Sequence, residues 1–218
     1  MIKSIHLFLN QFTVLHYFLR VLAYLKNDFF NTNKFEDMLI KHMPNGWQKM
    51  KILDLGCGPC NIERLKAFRG VDFTCVDIYK PYLEICNKIG LKTVHADLKN
   101  IEKYFAPKSA DIIWLLDVIE HLKKTEALRL INEAEKIARK QIIIFTPRGE
   151  FPQDEYDGNK YQKHRSSWIE KDLETKGYTC HILKGYHYDI REKSKALSGY
   201  SEAVAVDAMW AIKDIKLN

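Results

Sequence analysis

Short apolar segments alternate with helix-like segments between residues 51 and 147, and this alternation strongly constrains the fold. The segment Asp111–Leu116 is almost continuously apolar, which is typical of a strand covered on both faces. The segment Thr125–Arg139 instead places its apolar residues on one stripe, as an amphipathic helix does. This alternation predicts an α/β fold on a parallel sheet with right-handed crossovers. The predicted strands are Lys51–Leu55, Asp72–Ile78, Thr93–Ala96, Asp111–Leu116, Gln141–Phe145, Tyr178–Gly185 and Ala203–Ile212, and the predicted helices are Ile62–Phe68, Pro81–Ile89, Thr125–Arg139 and Trp168–Lys176.

A glycine-rich turn follows the first predicted strand. Gly56 and Gly58 flank a single residue there, and glycine permits the positive φ angles and the close ligand approach that a nucleotide-binding turn requires. Asp77 ends the next predicted strand, 23 residues after Asp54. A carboxylate at that strand end can accept hydrogen bonds from both ribose hydroxyls of a nucleoside. The pattern therefore predicts a nucleoside site at the carboxyl ends of the strands.

Five local patterns connect this nucleoside site to a known family. The sequence resembles the class I S-adenosylmethionine-dependent methyltransferases of the type 11 and type 12 groups, from Lys51 to Lys213 in element order. One position departs from the family pattern, because Cys60 stands where many members carry a third glycine. The matching patterns are ILDLGCGP (Ile52–Pro59), VDI (Val76–Ile78), HADL (His95–Leu98), DIIWLLDVIEHL (Asp111–Leu122) and IIIFTP (Ile142–Pro147).

The resemblance implies a fold, a cofactor and a set of cofactor-binding residues. The fold would be Rossmann-like, with a mostly parallel seven-stranded sheet, an antiparallel last strand and helices on both faces. The methyl donor would be S-adenosyl-L-methionine, and the product S-adenosyl-L-homocysteine. Asp77 would accept hydrogen bonds from the ribose, Asp97 would face the adenine amine, and Asp117 would lie near the methionine end. The residues expected to bind the cofactor are Asp54, Gly56, Cys57, Gly58, Asp77, Ile78, Asp97, Leu98 and Asp117.

Candidates for a catalytic base lie where the strand ends meet the polar segment after Pro147. A hydroxyl group that accepts a methyl group must lose its proton, and a histidine or a carboxylate serves as the base. Glu120 and His121 stand three and four residues after Asp117, a spacing that brings the three side chains together if the strand turns into a helix here. We predict His164, His121 and Glu120 as the catalytic residues, with His164 or His121 as the base.

Glu120 and His121 admit two further interpretations. In a relative that uses no metal, they would only cap or pack the start of a helix. Alternatively, these two residues with Thr146-Pro147 and His164 resemble small-RNA 3′-terminal 2′-O-methyltransferases, in which two glutamates and two histidines hold a divalent metal. Asp117 would replace the first glutamate, and the other ligands would be Glu120, His121 and His164. The main interpretation uses no metal, and metal-assisted methylation of an RNA 3′-terminal ribose is the alternative.

A polar stretch at residues 148–167 is predicted to bind the methyl acceptor. A loop of this length is uncommon unless it binds a ligand, although a surface loop rich in turn formers has a similar composition. Its DGNKYQKH sequence (Asp157–His164) resembles a methyltransferase subgroup associated with bacterial surface-polysaccharide assembly. We predict O-methylation of a sugar, free or in a glycan, or of another small hydroxyl-bearing acceptor, and a second substrate loop at residues 186–202.

The segment Cys57-Gly58-Pro59-Cys60 also spells the active-site tetrapeptide of thioredoxins. A cysteine at a helix N-terminus can have a lowered thiol pKa, so dithiol redox chemistry is a further alternative. That chemistry would leave Asp77 and Asp97 unexplained, whereas a nucleoside site explains both. The chain has five cysteines, an odd count, and no secretory signal, which favours reduced thiols in a cytoplasmic protein.

Residues 1–46 contain the most apolar part of the chain, and we predict a helical segment there in front of a methyltransferase domain at residues 47–218. No apolar run approaches the roughly 18 residues of a membrane-spanning helix. The segment is expected to serve as a lid, to pack on its own domain or on a partner subunit of a homodimer, or to touch a membrane surface through residues 1–26. The net charge of +6 favours anionic partners without requiring nucleic acid. A non-catalytic scaffold is the remaining alternative.

Overall fold

The computed structural model describes residues 35–61, 66–155, 158–188 and 205–216, without the side chains of residues 188 and 205. The chain divides into two compact units, Met1–Met43 and Pro44–Asn218. In the first unit, helix α1 covers the described residues 35–42. Within the described ranges, no helix has the length and the apolar character needed to cross a membrane. The roles predicted for residues 1–26 and for most of residues 186–202 concern positions outside these ranges and stay predictions.

The second unit contains a seven-stranded sheet. Its strands are β1 (Lys51–Leu55), β2 (Asp72–Asp77), β3 (Lys92–His95), β4 (Ala110–Leu116), β5 (Ala138–Pro147), β6 (Thr179–Tyr188) and β7 (Ala205–Asp214). Their order across the sheet is β3-β2-β1-β4-β5-β7-β6. The first five strands pair in parallel, whereas β7 is antiparallel to both β5 and β6. The predicted α/β sheet with an antiparallel last strand is confirmed.

Side chains that alternate along the central strands cover both faces of the sheet. On one face, Ile113 of β4 belongs to the same apolar cluster as Ala127 and Ile131 of helix α3 (Lys124–Ile137). On the other face, the ring of Trp114 lies 5.5 Å from that of Phe68 between ring centroids. Both central side chains are completely buried. The remaining helices are α2 (Lys80–Lys88) and α4 (Glu170–Glu174), and short 3-10 helices cover Trp47–Lys49, Lys66–Phe68, Leu98–Lys103, Ile119–His121 and Lys160–Gln162.

Parallel pairing brings the carboxyl ends of the central strands to one edge of the sheet. Leu55 of β1 aligns with Val76 of β2, and Leu116 of β4 aligns with Phe145 of β5. The residues that follow these strand ends are those predicted to bind the cofactor or to catalyse. The sheet register therefore places the predicted site on a single edge.

One predicted helix is longer than the helix in the structure. The helix predicted at Trp168–Lys176 is limited to α4, because Trp168 instead pairs with Arg148 in a short bridge and buries its ring completely. Tertiary contacts of this kind are absent from a local sequence pattern, and they set where this short helix begins. Of the helix predicted at residues 62–68, only residues 66–68 are described, and they are helical, in a 3-10 helix.

Candidate active site

The turn after β1 gives its two glycines different surroundings. Gly56 has a φ angle of 80° and Gly58 one of 54°, both in the left-handed region that favours glycine. A Cβ atom at Gly56 would lie 2.6 Å from Cγ2 of Val118, so the backbone passes this valine only without a side chain. A Cβ atom at Gly58 would meet nothing within 4 Å. Gly56 therefore permits close packing, and Gly58 leaves space open for a ligand.

Asp77 and Asp97 follow the ends of neighbouring strands and are fixed by backbone amides. The Asp77 carboxylate accepts hydrogen bonds from the Gly58 amide at 3.0 Å and from the Tyr79 amide at 2.7 Å. Burial raises the pKa of Asp77, and these amides oppose the rise. Asp97 accepts a hydrogen bond from the Lys99 amide at 3.0 Å. Both carboxylates are thus held in place with acceptor positions left for a ligand.

A cavity of about 310 Å³ lies at this edge of the sheet. Its size is at the lower end of the range typical of small-molecule sites. Its walls contain seven of the nine residues predicted to bind the cofactor, namely Gly56, Gly58, Asp77, Ile78, Asp97, Leu98 and Asp117. The other walls, which the sequence did not single out as cofactor contacts, are Lys99, Val118, His121, Leu122, Glu126, Asn159, Lys160, Tyr161, Gln162 and Arg165.

The other two predicted cofactor contacts, Asp54 and Cys57, do not line the cavity. Asp54 is buried within β1. Cys57 is partly exposed and is a free thiol, but the second cysteine of its tetrapeptide, Cys60, forms a disulfide with Cys86 of α2. The expectation that all thiols are reduced is therefore wrong for this pair, because the turn brings Cys60 against α2. Cys60 also has a φ angle of 55°, the conformation that favours the glycine of the family pattern.

Two carboxyl groups, those of Asp117 and Glu120, lie together beyond the end of β4. Asp117 lines the cavity and is exposed to it. Desolvation by the surrounding protein raises its pKa to about 7, while a hydrogen bond with Glu120 acts in the opposite sense. Glu120 is 2% exposed. Burial and the charge of Asp117 raise the pKa of Glu120. Its Oε2 accepts a hydrogen bond from the Thr146 hydroxyl at 3.0 Å, and its buried Oε1 has no donor among the described residues.

His121 and His164 pack edge to face close to these carboxyl groups, with ring centroids 4.8 Å apart. One ligand atom from each of Glu120, His121 and His164 falls within a group whose members are at most 4.8 Å apart. Burial, together with the charge of the neighbouring His164, lowers the pKa of His121 to about 4. Nδ1 of His164 contacts the carbonyl oxygen of Phe151. The structure thus brings the three predicted catalytic residues together, with His121 on the cavity wall.

The polar stretch after β5 is fastened to the turn that carries Glu120. The backbone amides of Arg165 and Ser166 donate to the Glu120 carbonyl oxygen at 2.7 and 3.1 Å. The buried Trp168 indole donates to the Ser166 hydroxyl at 3.0 Å, and the Lys124 ammonium lies 3.6 Å from the centre of the indole ring. Residues 159–162 of the same stretch line the cavity. The predicted acceptor loop therefore reaches the cofactor cavity.

A third histidine, His187, lies behind His164. Its ring centroid is 5.1 Å from that of Phe151, which in turn is 5.6 Å from that of His164. Burial lowers the pKa of His187 to about 4, and the neighbouring His164 contributes to this decrease. His187 falls within the substrate loop predicted at residues 186–202, but residues 186–188 belong to β6. Nothing local in the sequence links His187 to residues 151–164.

Comparison of the chain with known sequences supports a methyltransferase function for the site at this edge of the sheet. Residues 53–145 match the family model described as a methyltransferase domain. The chain is 26% identical over 187 residues to the ubiquinone biosynthesis O-methyltransferase of Rickettsia prowazekii, covering 82% of this chain and 73% of that protein. It is 24% identical over 183 residues to the protein of the same name from Rickettsia bellii, covering 73% of this chain and 74% of that protein.

Solved structures share the fold at low sequence identity. A methyltransferase from Archaeoglobus fulgidus that depends on S-adenosylmethionine has a TM-score of 0.58 and 17% identity, covering 84% of this chain and 94% of that one. The magnesium protoporphyrin IX methyltransferase of Synechocystis, solved with S-adenosylmethionine bound, has a TM-score of 0.53 and 14% identity, covering 84% of this chain and 77% of that one.

The sheet order, the glycine turn and the paired acidic residues define a Rossmann-like enzyme that binds a nucleoside cofactor. Together with the sequence matches, they support the assignment of this chain as an S-adenosylmethionine-dependent methyltransferase. The residues present fit this cofactor, because Gly58 leaves open space beside the Asp77 carboxylate and both line one cavity. When bound, the cofactor supplies a methyl group already activated on a sulfonium.

Proposed function

We propose that this enzyme methylates a hydroxyl oxygen of a small acceptor, and we name sugars as the first acceptor class to test. The observation that carries the proposal is the cluster of Glu120, His121 and His164 beside the cofactor cavity. A neutral histidine at this place can remove the proton of a hydroxyl group. The Rickettsia relatives are named O-methyltransferases, which also favours an oxygen acceptor over a nitrogen or carbon acceptor.

In this proposal, residues at the two ends of the cavity have separate roles. Asp77 binds the ribose hydroxyls, Asp97 faces the adenine, and Gly58 leaves room for the cofactor backbone. His121 or His164 takes the acceptor proton on a ring nitrogen. Glu120 positions the histidine base. Its buried carboxyl group accepts a hydrogen bond from the Thr146 hydroxyl and lies beside both histidines.

The acceptor loop supports a polar, hydroxyl-rich substrate. Asn159, Tyr161 and Gln162 line the cavity, and such side chains bind sugar hydroxyls and sugar faces. Lys160 and Arg165 line it as well and would accommodate a phosphate of a nucleotide-linked sugar. The relatives' name offers a second acceptor to test, a hydroxylated intermediate of ubiquinone biosynthesis.

The test begins with calorimetric titration of the protein with S-adenosyl-L-methionine. Methyl transfer is then measured with nucleotide sugars and with hydroxylated ubiquinone precursors as acceptors. His121→Ala and His164→Ala should abolish transfer to the accepted substrate and spare cofactor binding. His181→Ala, at an exposed position of β6, is the matched control and should retain activity. Loss of cofactor binding in both variants would contradict the assigned roles.

The alternative function is metal-assisted 2′-O-methylation of an RNA 3′-terminal ribose. Its specific support is the same cluster, because one carboxylate and two imidazoles within 4.8 Å form a donor set suited to a divalent cation. The buried Glu120 Oε1, which has no donor among the described residues, is available as a ligand atom. Titration with Mn²⁺, followed by RNA methylation with and without EDTA, distinguishes this alternative from the first.

We further propose that the enzyme is cytoplasmic and that residues 1–26 mediate packing, dimer formation or contact with a membrane surface. The apolar sequence of this segment supports these roles. The test compares the full chain with a variant in which Leu15, Leu19 and Leu22 are replaced by Ser. Size-exclusion chromatography with light scattering measures the oligomeric state of each protein, and sedimentation with anionic vesicles measures its membrane binding.

A further inference from the structure

Four of the five cysteines of the chain gather at the turn that borders the cofactor cavity. The sulfur atoms of Cys57, Cys60 and Cys86 lie within 4.8 Å of one another. The fourth, Cys75 of β2, is completely buried and hydrogen-bonds with the thiol of Cys57. Only one bond forms in this cluster, between Cys60 and Cys86, which are 26 residues apart.

This disulfide joins two elements that hold the cofactor. Cys60 ends the glycine turn, and Cys86 lies in α2, which begins just after Asp77 and Ile78. The sulfur of Cys86 is 3.6 Å from the carbonyl oxygen of Gly58, so the bond lies directly behind a wall of the cavity. Besides the disulfide, the Gly58 amide donates to Asp77 at 3.0 Å across the same junction.

We propose that Cys60 and Cys86 form a thiol oxidation site that sets the affinity of the enzyme for S-adenosylmethionine. In the oxidised protein, the disulfide holds the turn at Gly58 against α2 in the geometry that leaves the cavity open. In the reduced protein, the turn loses this covalent tie. The cofactor must then order the turn as it binds, so its affinity falls.

The redox step is a two-electron thiol–disulfide exchange. When the bond forms, the two thiols lose two protons and two electrons, and a low-molecular-weight disulfide such as oxidised glutathione takes them up and becomes two thiols. When the bond breaks, a dithiol supplies two protons and two electrons and becomes a disulfide itself. No other co-reactant is required.

Cys57 is close enough to compete for either partner and yet remains a free thiol. The hydrogen bond with Cys75, burial and the nearby charge of Asp54 all raise the pKa of Cys57. The thiolate is the form that attacks a disulfide, so this environment protects the Cys60–Cys86 bond from exchange. The tetrapeptide that resembles thioredoxin therefore supplies one half of the disulfide, with α2 supplying the other.

The experiment compares oxidised and reduced forms of the full chain. Protein is equilibrated with oxidised glutathione or with dithiothreitol, and thiols are then counted in denaturant, because Cys60 and Cys86 are completely buried in the folded state. We expect three thiols in the oxidised protein, those of Cys57, Cys75 and Cys180, and five after reduction. Calorimetry should show that reduction raises the Kd for S-adenosylmethionine at least fivefold.

Two variants separate this effect from damage to the fold. Cys60→Gly removes the bond and also suits the φ angle of 55°, so it should fold, bind with the Kd of the reduced protein and ignore dithiothreitol. Cys180→Ser, in β6, should keep the full response. The proposal is overturned if the oxidised protein has five thiols, or if both redox forms bind with equal Kd. Acceptor methylation is not measured, so either result is independent of the acceptor proposed above.

Discussion

Replacing Gly56 by alanine should lower the free energy of unfolding for two separate reasons. The residue would occupy the left-handed region at a φ angle of 80°, which costs about 1–2 kcal/mol for a residue with a side chain. Its Cβ atom would also lie 2.6 Å from Cγ2 of Val118, a stiff, buried side chain. Overpacking of this kind costs about 1–3 kcal/mol. The sum, about 2–5 kcal/mol, is a large part of the total stability of about 5–15 kcal/mol typical of a folded protein.

Gly58→Ala is the matched comparison. It has the same energetic cost of a side chain in the left-handed region, but its Cβ atom meets no neighbouring side chain. Its Cβ atom would meet nothing within 4 Å, so we expect a loss of only about 1–2 kcal/mol in the free energy of unfolding. The new methyl group would instead enter the space left for the cofactor. Gly58→Ala should therefore weaken S-adenosylmethionine binding more strongly than its small effect on stability suggests.

Urea denaturation of the protein without cofactor measures the first effect, and calorimetric titration measures the second. A double variant, Gly56→Ala with Val118→Ala, should recover part of the loss of Gly56→Ala, because the shorter side chain removes the close contact. Equal destabilisation by the two single glycine variants would refute the reasoning. So would a double variant whose loss is the plain sum of its two parts.

Three further predictions follow from other parts of the site. Asp77→Ala should weaken S-adenosylmethionine binding by about 1–3 kcal/mol, because a buried acceptor of ribose hydrogen bonds is lost; unchanged affinity in calorimetry would remove the ribose role. Trp168→Ala should lower the free energy of unfolding in urea by about 3–5 kcal/mol, because its completely buried ring packs under the acceptor loop. His187 has its pKa lowered from 6.5 to about 4 by burial, so the folded protein binds this proton less readily, and stability falls as the pH drops from 6.5 towards 4. His187→Phe should reduce this fall in pH-dependent thermal unfolding, with His181→Phe as the control.

The sequence predicts the sheet and its functional edge well because both depend on local patterns. The apolar run in β4 and the glycine turn after β1 each lie within a few residues of the chain. Strand order and register then follow from the general rules of parallel α/β sheets. For the same reason, seven of the nine predicted cofactor contacts line the cavity.

Features that depend on contacts across the sheet could not be predicted in this way. The partner of Cys60 is Cys86 rather than its neighbour in the tetrapeptide, because α2 happens to pass beside the turn. Val118 leaves no space for a Cβ atom at position 56, and this contact exists only because β4 pairs with β1. His187 reaches Phe151 only through the antiparallel pairing of β6 with β7. Each contact joins residues that no spacing argument connects.

The carbonyl oxygen of Glu120 accepts two backbone hydrogen bonds from the end of the predicted acceptor loop, while its side chain lies among the proposed catalytic groups. In the proposed function, a single short turn therefore anchors the acceptor loop through its main chain and contributes to catalysis through its side chain. Under the proposed function, exchanging the loop for that of a relative should preserve catalysis only if the backbone positions of Arg165 and Ser166 are kept, together with the Ser166 hydroxyl that contacts Trp168 and the Ile119 carbonyl oxygen. We therefore expect substitutions between residues 149 and 164 to change the proposed substrate range, provided that the two amides which follow remain in place.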